Sequence, residues 1–292
     1  MRGATASKHV WQWRSGEALT LLALLTGDID LCDTPDAPVG GALVAPAVCG
    51  ALAPLFWPDM LDGMESPTSP SAGAGALSLD DMLRRSVEMD LAALDILSPE
   101  TFELANDGAN VVACLNACEV AMEHARAIRT LISEGFDTTA ASILRLQFEA
   151  LVRAMWLLWA ASEDDLAKIS APLSAESEAA ATKLPMVSKM IELLKDAGPP
   201  GAYEMVAGFK ATMLSSLNSF VHSGIHPIQR QSAGYPERLM AQILENSNAV
   251  FLMTTMLLAN LTGNEAITKP MSKIQRGFAD CLPALLGPTA AQ

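Results

Sequence analysis

The sequence predicts an all-α protein, an antiparallel bundle of seven to eight helices preceded by an irregular segment. Three observations predict it. No stretch alternates with period two over a useful length. After residue 78, N-cap residues, first-turn acids and Gly or Pro stops recur at helical intervals. Half of the 292 residues are apolar and 18% are charged, enough to close a sizeable core.

The elements follow from their punctuation. Ser78 and Asp81 open a helix that runs to Leu97. Ser98-Pro99-Glu100 starts a segment interrupted at Asn106-Asp107-Gly108. A helix from Asn110 to Glu134 stops at Gly135, and Asp137 caps the next, which extends to Ala161. Ser162 with Glu163, Asp164 and Asp165 opens another, since acids favour the positive helix start. Pro185 to Asp196 is amphipathic and ends at Gly198-Pro199-Pro200. Ala202 to His222 follows. Pro236 opens a long apolar helix that ends at Gly263, and a last helix spans Ile267 to Leu285.

The organisation is an Ala/Pro/Gly-rich irregular segment over residues 1–78 and a helical bundle over 79–292. Residues 66–76, SPTSPSAGAGA, read as a linker. A start of the natural chain at Met82 or nearby is one expectation from this break. Ala37 to Pro58 carries no charge and is long enough to span a bilayer. Pro46 and Pro54 with Gly40, Gly41 and Gly50 interrupt it, so it reads as an irregular tract and no membrane is expected. Glu17 inside the short apolar run near the N-terminus argues against a signal peptide.

Acidic residues outnumber basic ones 33 to 19, a net charge of −14. Such a surface repels phosphate backbones, so broad DNA binding is not expected, while a local basic site stays possible. Five cysteines without a paired framework point to a reducing, cytoplasmic location. Cys114 and Cys118 lack Cys or His partners nearby, and Glu119, Glu123 and His124 lack a second Glu-x-x-His, so no metal and no cofactor is implied. There is no Gly-rich phosphate loop and no nucleophile elbow.

Two stretches carry unusual chemistry. In DTTAASILRLQFEALVRAMWLLWAA (137–161), apolar side chains point nearly all round, as in a central helix without a wet face. Arg145, Glu149 and Arg153 nevertheless recur at i, i+4 and i+8 along one stripe, and Trp156 falls in it. Buried charges must be paired or face a cavity. The stripe is therefore either an ion-pair ladder that fixes packing or an anion pocket in which two arginines, oriented by Glu149, take a phosphate or carboxylate. The second stretch is LNSFVHSGIHPIQR (217–230). It reads as a helix end passing into a loop at Gly224 and Pro227, with His222 and His226 able to move protons near neutral pH. His222 is equally readable as a helix-end residue whose imidazole bonds the last carbonyls.

These two stretches, together with HARAIRTLISEGF just before the first, resemble an uncharacterised family of bacterial all-helical proteins. Its pattern is an Arg-x-x-x-Glu helix ending in Trp, followed by a His-Gly segment. The resemblance spans roughly residues 80–285 and implies a helical fold with Arg145, Glu149, Arg153, Trp156, His222 and Gly224 at the characteristic positions. The architecture is also similar to the broad HEPN class, whose members include dimeric ribonucleases of toxin and phage-defence systems. Their Arg, four to six residues, then His signature matches only Arg2 to His9, in the irregular segment. A nuclease site here would need Arg153 and His222 from different helices. Two functions follow as expectations. One is a soluble helical binding or scaffold protein, with a homodimer as a candidate assembly and an Arg/Glu/Trp/His cluster for a small anion. The other is a metal-independent ribonuclease acting on RNA.

Overall fold

The computed structural model describes residues 77–98 and 102–283, whose regular structure is helical, with no strand among them. The charge-free tract 37–58, the linker 66–76 and the Arg2–His9 pair lie outside the described residues. Ten α-helices follow one another: α1 Leu79–Ile96, α2 Ala109–Ser133, α3 Asp137–Trp159, α4 Glu163–Ser170, α5 Ala175–Ala181, α6 Val187–Ala197, α7 Pro200–Val221, α8 Ile225–Ala233, α9 Glu237–Leu261 and α10 Glu265–Ile274. Two 3₁₀ turns, Gln275–Gly277 and Ala279–Cys281, close the described chain.

The count exceeds the seven or eight expected because α5 and α8 were not anticipated. Pro227 occupies the third position of α8, where the helix has no use for the missing N–H. The segment after Ser98 is not helical over residues 102–108, and the last helix stops at Ile274 rather than Leu285. Asp137 is the first residue of α3 and Phe136 its cap position. Ser78 and Ser162 cap α1 and α4 by accepting from the N–H of Asp81 and Asp165. Gly135 takes the left-handed φ of +75° that ends α2 and lets α3 fold back antiparallel.

α3 is the hub. It forms a hairpin with α2 and also packs on α6, α7 and α9. Its apolar residues explain this: Leu144, Phe148, Leu151, Val152, Met155 and Trp156 are all buried. Phe148 stacks on Phe209 of α7 with centroids 4.2 Å apart. Gln147 and Ser247 cross from α3 to α9 by two bonds, the amide Nε2 donating to Ser247 O (3.0 Å) and the hydroxyl to Gln147 Oε1 (2.8 Å). That pair satisfies two polar groups that burial would otherwise penalise. α9 is buried on nearly every side, which its length of apolar sequence requires.

α1 closes the bundle from outside. The N–H of Leu79 donates to Glu237 at the start of α9 (3.0 Å), and Asn248 of α9 donates to Ser86 (2.7 Å). These two contacts advance along both chains together, so α1 and α9 run side by side in the same direction. Arg85 then ties down the C-terminal turns through Asp280 (2.8 and 3.0 Å) and Gly277 O (2.6 Å), with its guanidinium over Phe278. Met82 is buried in the first turns of α1, so Ser78 to Asp81 belong to the fold and a chain begun at Met82 would lack the α1 cap. Ser78→Ala is expected to cost about 1 kcal/mol of unfolding free energy in urea titration, the usual value of such a cap.

Candidate functional site

The stripe predicted on α3 exists, but it lies at the solvent edge of the helix rather than in the core. Leu146, next to it, is 38% exposed, and the side chains of Arg145 and Glu149 are 18% and 25% exposed. The burial inferred from the apolar sequence is thus only partial here. α2, α6, α7 and α9 cover the rest of α3 and leave this edge open.

Along the edge the charges are not equivalent. Arg145 pairs with Glu149 one turn on, and both of its contacts fall on the same oxygen, Oε1: Nε donates at 2.8 Å and Nη2 more closely still. Glu149 Oε2 takes no hydrogen bond among the described residues. Arg153 is half-buried and makes no ion pair or hydrogen bond among the described residues. A Glu preceding an Arg by four residues is the favoured helical pairing, yet Glu149 turns back to Arg145 instead. Trp156 is fully buried, and its indole Nε1–H has no acceptor among the described residues. A buried donor left unmatched costs about 1–3 kcal/mol. Arg153 and Trp156 lie three residues apart, so one helical turn brings a free cation and a free donor to one side of α3.

The histidine segment is at the opposite end of the α3–α7 pair. His222 is the C-cap of α7 and is exposed. Its backbone N–H donates to Asn218 O (3.0 Å), while its imidazole bonds none of the last carbonyls among the described residues. Ser223 adopts φ of +50°, Gly224 donates to Ser219 O (2.7 Å), and α8 begins. A Cβ on Gly224 would sit 2.6 Å from Ser219 Oγ, the same atom that accepts from the N–H of His226 (3.2 Å). That close approach is why glycine stands there. The His226 ring stacks near Phe220 (5.9 Å), Phe220 lies near Tyr235 (6.5 Å), and the Tyr235 hydroxyl bonds Thr138 (2.6 Å).

That chain of contacts fixes the register. Thr138, in the first turn of α3, faces the end of α7, whereas Arg153 lies ~22 Å further along the axis at about 1.5 Å per residue. Arg145, Glu149 and Arg153 therefore share one edge, with Trp156 buried beneath the same stripe. His222 and His226 do not join them, and Arg153 and His222 cannot act on one phosphate in this structure.

His226 has a property of its own. Burial, and after it the nearby Arg230 cation, push its imidazole below the ordinary histidine value of 6.5, and its Nδ1 is buried without a partner among the described residues. The sign of the consequence is fixed. Protonation is easier in the unfolded chain, so this histidine's contribution is complete above about 6.5 and is lost as pH falls through the lower folded value. Replacing His226 by Gln should flatten the loss of thermal stability as pH falls below about 6.5, measured by scanning calorimetry. An unchanged slope would contradict this.

A second charged cluster escaped the sequence. Asp90 of α1 is completely buried and meets both Arg126 (3.2 Å) and Arg129 of α2, the latter also buried and lying over the Phe251 ring. Asp90 recurs with Met82, Ser86, Met89 and Ala93 on the inward face of α1. A carboxylate at a core position was the available signal, although nothing local names its partners. Cys114, Cys118 and Cys281 are buried, and burial pushes the Cys281 thiol up to about 12 and Cys118 well above its usual range.

Fold and site together define an all-helical protein whose central helix carries a partly exposed charged edge at Arg145, Glu149 and Arg153. Residues 118–284 match a family of unknown function, DUF6988, and the chain belongs to that family. The match begins within α2, later than the onset near residue 80 that the motif pair implies. It includes every predicted site residue, and it carries neither a HEPN relation nor a bacterial assignment. No curated protein and no solved structure matches the chain. Among the described residues no helix is long and apolar enough to cross a membrane, and no three His, Cys, Asp or Glu side chains are grouped to hold a metal ion.

Proposed function

We propose that this protein is a small-anion binding protein, with the anion held at the edge of α3 by Arg153 and Trp156. The observation that carries the reading is the unpaired Arg153 guanidinium one turn from the unpartnered, fully buried indole N–H of Trp156. Guanidinium and indole are both pure donors, so what they lack is an acceptor. A carboxylate or phosphate oxygen supplies one and gains a charge-assisted bond. The Arg145–Glu149 pair flanks the position and holds Glu149 away from Arg153, which keeps the arginine free. The stripe carries one net positive charge in a chain of −14, so it stands out as a local attractor for anions.

Isothermal titration of the full chain with acetate and with inorganic phosphate tests this. At least one should bind saturably, and Arg153→Ala should weaken it about tenfold or more, the usual weight of a charged hydrogen bond. Arg145→Ala should weaken it less. Equal binding by the wild-type and Arg153→Ala proteins would overturn the assignment. The ribonuclease reading has no comparable support, because the arginine and histidine it requires lie at opposite ends of α3 and α7.

A further inference from the structure

The same edge of α3 carries more information than a free cation, because an acceptor stands one turn before it. Both bonds from Arg145 fall on Glu149 Oε1, which leaves Oε2 with its lone pairs uncommitted among the described residues. Read along α3, the order is a free carboxylate oxygen, a free guanidinium and a buried indole N–H. Glu149 and Arg153 are separated by about 6 Å of helix axis, and Trp156 by about 4.5 Å more. The first position asks for a donor or a positive charge, and the other two ask for an acceptor or a negative charge. A bare anion satisfies only the second half, and a dianion would be repelled by the Glu149 oxygen.

We infer that the ligand is a free α-amino acid, its carboxylate on Arg153 and the Trp156 N–H and its ammonium on Glu149 Oε2. This rests on the anion reading above and specifies its ligand class. One carbon separates the two charges of such a molecule, a span that one helical turn accommodates. The arrangement also explains why the Arg145 contacts are gathered on one oxygen of Glu149. Arg145 offsets that carboxylate and orients it while leaving the second oxygen to the ligand. Arg145 and Glu149 thus act on opposite sides of the same requirement: the first holds the carboxylate in place, the second reads the ammonium.

The test is a calorimetric series on the full chain at fixed ionic strength, with L-alanine, propionate, ethylammonium and inorganic phosphate as the probes. Propionate is L-alanine without its ammonium, and ethylammonium is L-alanine without its carboxylate. L-Alanine is expected to bind about tenfold or more tighter than propionate, through the added charged hydrogen bond, and ethylammonium not to bind. Glu149→Gln should remove the advantage of L-alanine over propionate, without weakening propionate itself. If propionate or phosphate binds at least as tightly as L-alanine, the amino-acid inference falls and the anion reading stands. Binding of ethylammonium as tight as that of L-alanine also overturns the inference. If L-alanine, propionate and phosphate all fail to bind, both readings fall.

Discussion

Asp90→Asn should destabilise the fold by about 3–5 kcal/mol, the range for removing one partner of a buried ion pair. Asp90 is wholly buried, and both Arg126 and Arg129 direct donors at it. Burial already presses the Arg129 guanidinium below its ordinary value, and Asp90 is what opposes that. With the carboxylate gone, a fully buried cation has no counter-charge, and its Nε is unpartnered even now. Urea unfolding followed by circular dichroism gives the loss directly. The double change Asp90→Leu with Arg129→Met should recover most of it, since an apolar pair of similar volume carries no desolvation penalty. Recovery no better than that of the single variant would mean that the pair does more than neutralise itself.

Phe148→Ala should cost about 3–5 kcal/mol. Phe148 is completely buried in the middle of α3 and stacks on Phe209, so the change removes both its transfer free energy and an aromatic contact. The residue is one of the contacts that pack α3 on α7. Thermal unfolding of the variant measures the cost, and a loss under about 1 kcal/mol would show that the surroundings collapse into the space.

The parts that could be read from sequence are those governed by local rules. Capping by Ser78 and Ser162, the stop at Gly135 and the apolar breadth of α3 all depend on neighbours within a turn or two. The Arg145–Glu149–Arg153–Trp156 stripe was legible for the same reason, since helical geometry alone aligns it. What could not be read depends on other helices. Whether the stripe is wet is decided by where α2, α6, α7 and α9 pack. The assumption that an apolar helix has no open edge placed it too deep. In sequence α8 reads as a loop because Gly224 and Pro227 usually break helices, yet one is the cap and the other sits in the first turn. α5 buries no residue and so leaves no hydrophobic pattern to find. The Asp90 cluster joins positions 36 and 39 residues apart, beyond any local pattern. His222 and the α3 arginines shared a sequence motif but not a location. Proximity in a family pattern reflects the chain, whereas the antiparallel α3–α7 register sends Arg153 and His222 to opposite ends.

The most direct measurement is the indole N–H resonance of Trp156 in a ¹⁵N-labelled full-length sample titrated with acetate, assigned by its loss in Trp156→Phe. That proton is buried and has no acceptor among the described residues, so an incoming oxygen must change its hydrogen bonding. A saturable downfield shift, absent in Arg153→Ala, is the predicted result. A resonance that stays put while other indole signals respond to salt alone would contradict an anion at the edge of α3.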